Sequence, residues 1–144
     1  MAVGSGNGLS IVISSTASDT HTWNLVFLRM YLEELGHDVV NLGPCVAEDE
    51  LVPGCLDARP DVIVLSSVNG HGFRDGLRAI ARIREHPDLR GVTTVIGGKL
   101  DVAALTADQE RALADAGFDA VFSDSHPGGS FVALLAGVRA ELAS

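Results

Sequence analysis

Short apolar runs rich in valine and isoleucine alternate along the chain with longer stretches whose apolar residues recur at helical spacing. The runs "LSIVISS" (9–15), "DVVNLG" (38–43), "DVIVLSS" (61–67), "VTTVIGG" (92–98) and "DAVFSD" (119–124) have the length and β-branching of strands buried on both faces. Between and after them lie predicted helices. In "TWNLVFLRMYLEELG" (22–36), Leu25, Leu28, Leu32 and Leu35 share one face and Gly36 supplies a stop. "FRDGLRAIARIREH" (73–86) groups Leu77, Ile80, Ala81 and Ile83 and ends before Pro87. "TADQERALADAG" (106–117) starts on a threonine cap and closes on Gly117, and "GGSFVALLAGVRAELA" (128–143) carries the final apolar stripe. Over 47–58 a helical pattern is interrupted by Pro53 and Gly54, residues that end or bend helices.

Five strand–helix units in strict alternation predict an α/β fold, an open parallel sheet with helices on both faces. For a chain of 144 residues the expected architecture is a flavodoxin-like (Rossmann-like) three-layer sandwich of strand order 2-1-3-4-5. One domain is expected over 9–144, preceded by a flexible, glycine- and serine-rich tail over 1–8. Ligands of such sheets bind beyond the carboxyl ends of the strands, near the switch in strand order. The segments there read "TASDTHTWN" (16–24), "SSVNGHG" (66–72), "GGKLD" (97–101) and "SDSHPGG" (123–129), all polar or glycine-rich.

Composition narrows the partners. A net charge of −9 repels a phosphate backbone, so nucleic acid is not expected. No apolar run approaches the roughly 20 residues that span a bilayer, and the N-terminus lacks the basic and apolar regions of a signal peptide. Cys45 and Cys55 fit neither a redox pair nor a zinc spacing, and are expected to be reduced, semi-buried residues of a cytoplasmic protein.

The loops exclude several occupants of this fold. A phospho-acceptor receiver needs an aspartate ending strand three, where this chain has Ser66 and Ser67. A flavin mononucleotide site would use the hydroxyls of "SSTASDT", but the glycine that lets amides close on a phosphate is missing. A G-x-G-x-x-G fingerprint is also absent after strand one, since "GNGLS" (6–10) precedes the strand. What remains is Asp19-Thr20-His21. A carboxylate beside a histidine accepts one ring N–H and leaves the other nitrogen as a metal donor. One histidine cannot hold a free zinc or iron ion, but it suffices when the metal brings its other ligands, as in a tetrapyrrole or corrin. His71 and His126 lie on the same edge. They could complete a conventional three-histidine site, flank a bound ring, or meet a partner. Trp23 and Phe27 are expected in the core or an interface, and Lys99 either contacts a ligand or is solvated.

"SDTHTWN", "SSV" with "NGHG", and "VIGGK" together resemble the cobalamin-binding domain family, whose signature is D-x-H-x-x-G, then S-x-L, then G-G. Within it the chain is most similar to the small subunit of methylaspartate (glutamate) mutase, over roughly residues 9 to 142, including "GHDVVNLG" and "GFDAVF". The resemblance implies cobalamin bound base-off/His-on, with His21 ligating cobalt, Asp19 orienting it, and the detached nucleotide tail in a slot beside the sheet. Carried over by position, Ser66 contacts the buried tail, Val68 stands for the motif leucine, and Gly97 and Gly98 match the glycine pair. Thr20, Thr22 and Gly70 flank these motifs and count as cofactor-binding positions, as do Ser125, Gly128 and Gly129 near the tail or its phosphate. The motif's last glycine is Asn24 here, which tolerates glycine-like backbone geometry and could bond the ribose or a corrin amide. The implied cofactor is adenosylcobalamin. The implied partner is a catalytic large subunit with a TIM barrel in a heterotetramer-like assembly, so the chain alone is a non-catalytic part of an isomerase. A corrinoid carrier for methyl transfer and a non-enzymatic cobalamin sensor or carrier remain alternatives. The former usually has a helical cap, for which the eight residues before the first strand leave no room.

Overall fold

The computed structural model describes residues 8–101, 103–123 and 128–143. The expected tail over 1–8 lies outside them except for Gly8, which packs so closely that a Cβ there would strike the Gly36 carbonyl oxygen. Elements run β1 (Ser10–Ser15), α1 (Trp23–Glu34), β2 (Asp38–Asn41), α2 (Glu48–Ala58), β3 (Val62–Ser66), α3 (Gly72–Glu85), β4 (Thr93–Gly98), α4 (Ala107–Ala116), β5 (Ala120–Ser123) and α5 (Gly128–Ala143). All strands are parallel and the order is β2-β1-β3-β4-β5, as the alternation predicted.

Alternate side chains of each strand feed two cores. Val12, Ile63, Leu65 and Ile96 pack with Leu51 and Cys55 of α2, Ile80 and Ile83 of α3, and Leu113 of α4. Ile11, Ile13, Val62, Val64 and Val95 face the other way, onto Leu25 and Leu32 of α1 and Leu135 and Val138 of α5. The site described below lies on this second face, at the carboxyl edge.

Several local expectations are adjusted. α2 continues through Pro53, because its three acidic first-turn residues suit a helix N-terminus and Leu51 and Cys55 anchor it in the core. Gly54 permits that packing: a Cβ there would lie 2.9 Å from a Leu42 methyl. Ala81 is exposed, since the buried face of α3 runs through Gly72, Asp75, Gly76, Ala79, Ile80 and Ile83. Leu35 lies past the last turn of α1 and is exposed too. The cysteines divide, Cys45 exposed and Cys55 buried. Trp23 and Phe27 are not core residues, being 81% and 75% exposed. Thr106 caps α4 as expected, in a reciprocal box with Gln109.

Candidate functional site

β1 delivers the chain to the carboxyl edge at Ser15, and the loop before α1 turns back on itself, Asp19 N–H donating to the Thr16 carbonyl (3.1 Å). Asp19 is fully buried, and its carboxylate accepts three hydrogen bonds. The His21 backbone N–H (2.9 Å) and ring Nδ1–H (2.7 Å) reach Oδ1, and the Val68 N–H (2.6 Å) reaches Oδ2. Burial, the largest single influence, pushes the Asp19 pKa upward. The bonds from His21 and Val68, joined by charge attraction whenever the His21 ring is protonated, together outweigh it, holding the group below the ordinary carboxylate value. With Nδ1 carrying the proton, Nε2 keeps its lone pair, on a side chain 57% exposed. The arrangement leaves one ring nitrogen of an exposed, carboxylate-held histidine free to act as a donor.

Beside this loop, α1, α5 and the ends of β3, β4 and β5 enclose a cavity of about 530 Å³. Val64 and Val95 form its floor, Leu28 and Tyr31 line it from α1, and Phe122 and Phe131 meet edge-to-face with centroids 5.5 Å apart. The walls are therefore largely apolar. Gly97 and Gly98 line the cavity where β4 ends. At Gly97 a Cβ would stand 3.0 Å from the Phe122 carbonyl oxygen. At Gly98, φ is +111° and a Cβ would strike the Ser67 carbonyl oxygen. Glycine is thus required at 98 by backbone conformation and contact together.

Besides the Tyr31 phenol, the polar side chains that line the cavity are Asn24 and Ser66, which meet at its edge. Asn24, in the first turn of α1, donates from Nδ2 to the Ser66 hydroxyl at 2.8 Å, and both residues line the space. Asn24 Oδ1 is out of water and accepts no hydrogen bond; Thr16 Oγ1 in the preceding loop is likewise buried and unpartnered. Val68 also lines the cavity. Gly70, at φ +88°, donates to the Lys99 carbonyl (3.2 Å) and so joins the loops after β3 and β4. Thr20 and Thr22 are exposed on the β1 loop, and Lys99 is exposed after β4. Gly128 and Gly129 open α5. Ser125 and His126 lie outside the described residues. Among the described residues no three metal-ligating side chains come together, so these residues form no conventional metal site around His21 or His71.

Sequence reasoning missed the struts that hold the β1 loop. Buried Asp75 of α3 accepts from the Ser18 N–H (3.2 Å) and hydroxyl and from Arg78 (2.7 Å). Asn69 donates to the Ser18 carbonyl (3.1 Å). The available signal was a carboxylate on the buried face of an amphipathic helix, which needs a partner.

The B12 binding domain family matches residues 9–127 of the chain. The glutamate mutase sigma subunit of Escherichia coli is 36% identical over 121 residues, covering 81% of this chain and 78% of that protein. The glutamate mutase sigma subunit of Halobacterium salinarum is 31% identical over 136 residues, covering 92% of this chain and 87% of its own. Among solved structures, a cobalamin-binding protein from Desulfitobacterium hafniense superposes with a TM-score of 0.64 at 20% identity, over 79% of this chain. This chain spans 52%, about half, of that one, and the likeness is one of fold.

Proposed function

The chain belongs to the B12 binding domain family, and from that premise we propose that it is the cobalamin-binding small subunit of a carbon-skeleton mutase of the glutamate/methylaspartate type. The observation that carries the reading is the Asp19–His21 pair beside a largely apolar cavity of about 530 Å³ that Gly97 and Gly98 line where β4 ends. The residues present fit the group. A lone histidine with a free Nε2 suits a metal that brings its own equatorial nitrogens. The apolar walls, with Gly97 and Gly98 adding no side chains where β4 ends, suit a bulky tail.

In this reading His21 would hold the cobalt through Nε2, with Asp19 fixing the ring by its other nitrogen and raising its donor strength. Ser66, Val68, Gly97 and Gly98 seat the nucleotide tail with Asn24. Thr20, Thr22 and Gly70 belong to the loops around it, and Ser125, Gly128 and Gly129 to its phosphate end. Adenosylcobalamin, when bound, supplies homolytic cobalt–carbon chemistry. This chain's own task is to bind, orient and shield. Substrate recognition belongs to a partner, a TIM-barrel catalytic subunit joined in a heterotetramer-like assembly, so the isolated chain is inactive. Trp23, Phe27 and Met30, all strongly exposed on α1 in the turns that follow the His21 loop, support a partner covering this side of the molecule. The test is a spectral titration of the full chain with adenosylcobalamin, repeated on His21→Ala. The expected result is base-off binding in the wild type, and affinity at least tenfold weaker with an altered cobalt spectrum in the variant. Tight binding untouched by the substitution removes His21 as ligand.

A further inference from the structure

We propose that Asp75 of α3 is a positioning residue for His21: through Ser18 it fixes the loop from which the imidazole reaches the metal. The inference rests on the cobalamin reading above and extends the machinery of that site to α3. Asp75 is 2% exposed, and both of its carboxylate oxygens are engaged. Oδ2 accepts the Ser18 backbone N–H at 3.2 Å and also the Ser18 hydroxyl, while Oδ1 accepts from Arg78 Nη2 at 2.7 Å. The same hydroxyl accepts from Asn69 Nδ2 at 3.2 Å, and Nδ2 also donates to the Ser18 carbonyl at 3.1 Å. Every polar group of Ser18 is therefore committed, and the next residue along the chain is Asp19.

Stability alone does not explain a carboxylate at this place. Burying a charge costs desolvation, and an apolar residue of similar size commonly serves a core as well or better. What Asp75 has is a fixed position. α3 approaches the sheet closely on either side of it: a Cβ at Gly72 would lie 2.7 Å from Ser67 Cβ, and one at Gly76 would lie 2.6 Å from an Ile96 methyl. A helix seated this tightly has no room to slide, so its carboxylate is a rigid anchor. The loop between β1 and α1 needs one, because His21 near its far end is exposed and must be held in place from behind. Each loop residue left free would have to be ordered when the ring takes up a metal, and that ordering subtracts from affinity. Asp75 orders the loop beforehand at Ser18. The Val68 N–H and the Cys45 N–H, the latter 2.8 Å from the Asp19 carbonyl, do the same one residue later.

The full chain is titrated with adenosylcobalamin and followed by the corrin absorbance, as wild type, Asp75→Ala and Ser18→Ala, and again with each combined with His21→Ala. Thermal melts confirm that the variants fold. A residue that acts through His21 must be energetically coupled to it. The expected result is that Asp75→Ala weakens binding on the order of tenfold when His21 is present, as for outer partners of metal ligands, and less than about twofold when it is absent. Ser18→Ala keeps the backbone bond to Asp75 and should show the same coupling at smaller size; it decides the matter if Asp75→Ala does not fold. An equal loss with and without His21 overturns the assignment, because a residue that only supports the fold does not depend on that ring. Affinity unchanged in both Asp75→Ala and Ser18→Ala overturns it too. Wild-type binding that His21→Ala leaves untouched removes the ligand that Asp75 is said to position. Failure of the wild type to bind overturns the cobalamin reading itself, and this inference with it.

Discussion

Replacing Asp19 tests the centre of the site most directly. In Asp19→Ala three hydrogen bonds to a carboxylate disappear: two from His21, at 2.9 and 2.7 Å, and one from Val68 at 2.6 Å. The two His21 donors sit on an exposed residue and can turn to water, so their loss costs little. The half-buried Val68 N–H has no such recourse, and a stranded donor costs about 1–3 kcal/mol. The loop between β1 and α1 also loses its tie to the β3 end, while the desolvation of a buried carboxylate is relieved. The net expectation is about 2–3 kcal/mol of stability, or roughly 6–12 °C in Tm for a domain of this size. Orientation of His21 goes with it, so cobalamin affinity should fall roughly 10- to 100-fold. Asp19→Asn separates charge from shape, because its single oxygen cannot serve both His21 and Val68. Since the folded pKa of Asp19 is depressed, its stabilisation is present above the ordinary value of 3.8 and is lost as pH falls through the lower folded value. The wild type should therefore lose stability there more steeply than Asp19→Asn. Urea titrations across that range, paired with spectral titration, measure both effects. Unchanged stability together with unchanged affinity in Asp19→Ala would refute the argument.

Three further expectations follow from single features. Gly98→Ala forces a side chain into positive φ and onto the Ser67 carbonyl, so it should destabilise by roughly 2–4 kcal/mol and weaken corrinoid binding, read by denaturation and titration. Buried His37 accepts the Leu9 N–H at Nδ1 (3.0 Å), and burial, reinforced by Arg139 and opposed by Asp38, lowers its pKa. Its neutral form is the stable one, so stability should fall as pH drops below 6.5, and His37→Asn, which retains an acceptor, should flatten that limb in melts at several pH values. Burial pushes the Cys55 thiol up to about 12 while Cys45 is exposed, so a thiol reagent at neutral pH should label one site on the folded chain, at Cys45, and both after unfolding.

Much of this molecule was legible in the sequence. The alternation of strand and helix periods led to the order 2-1-3-4-5, and the position of Asp19-Thr20-His21 after the first strand led to the ligand edge. Where the reading slipped, the cause was context. Pro53 lies inside a helix because tertiary anchoring by Leu51 and Cys55 outweighs one lost backbone bond. By type Trp23 and Phe27 fit either the core or an interface, and the sequence leaves that choice open. Only the placement of α1 on the sheet determines that Leu25 and Leu32 face inward and these two outward.

By itself, then, the sequence determined the elements, their order, and the pairing of a carboxylate with a histidine two residues away. Those properties depend on short-range periodicity and on local turn chemistry, which neighbours in the chain carry. The tertiary structure alone decided how Asn24 meets Ser66 across 42 positions, Val68 meets Asp19 across 49, and Ser18 meets Asp75 across 57. Those contacts exist because parallel register brings the ends of β1, β3 and β4 to one edge, where loops far apart in the chain must satisfy one another's polar groups. Asn24 shows the difference most clearly. In the chain it is one departure from a glycine motif; in the fold it holds Ser66 with its amide nitrogen and buries its oxygen without a partner among the described residues.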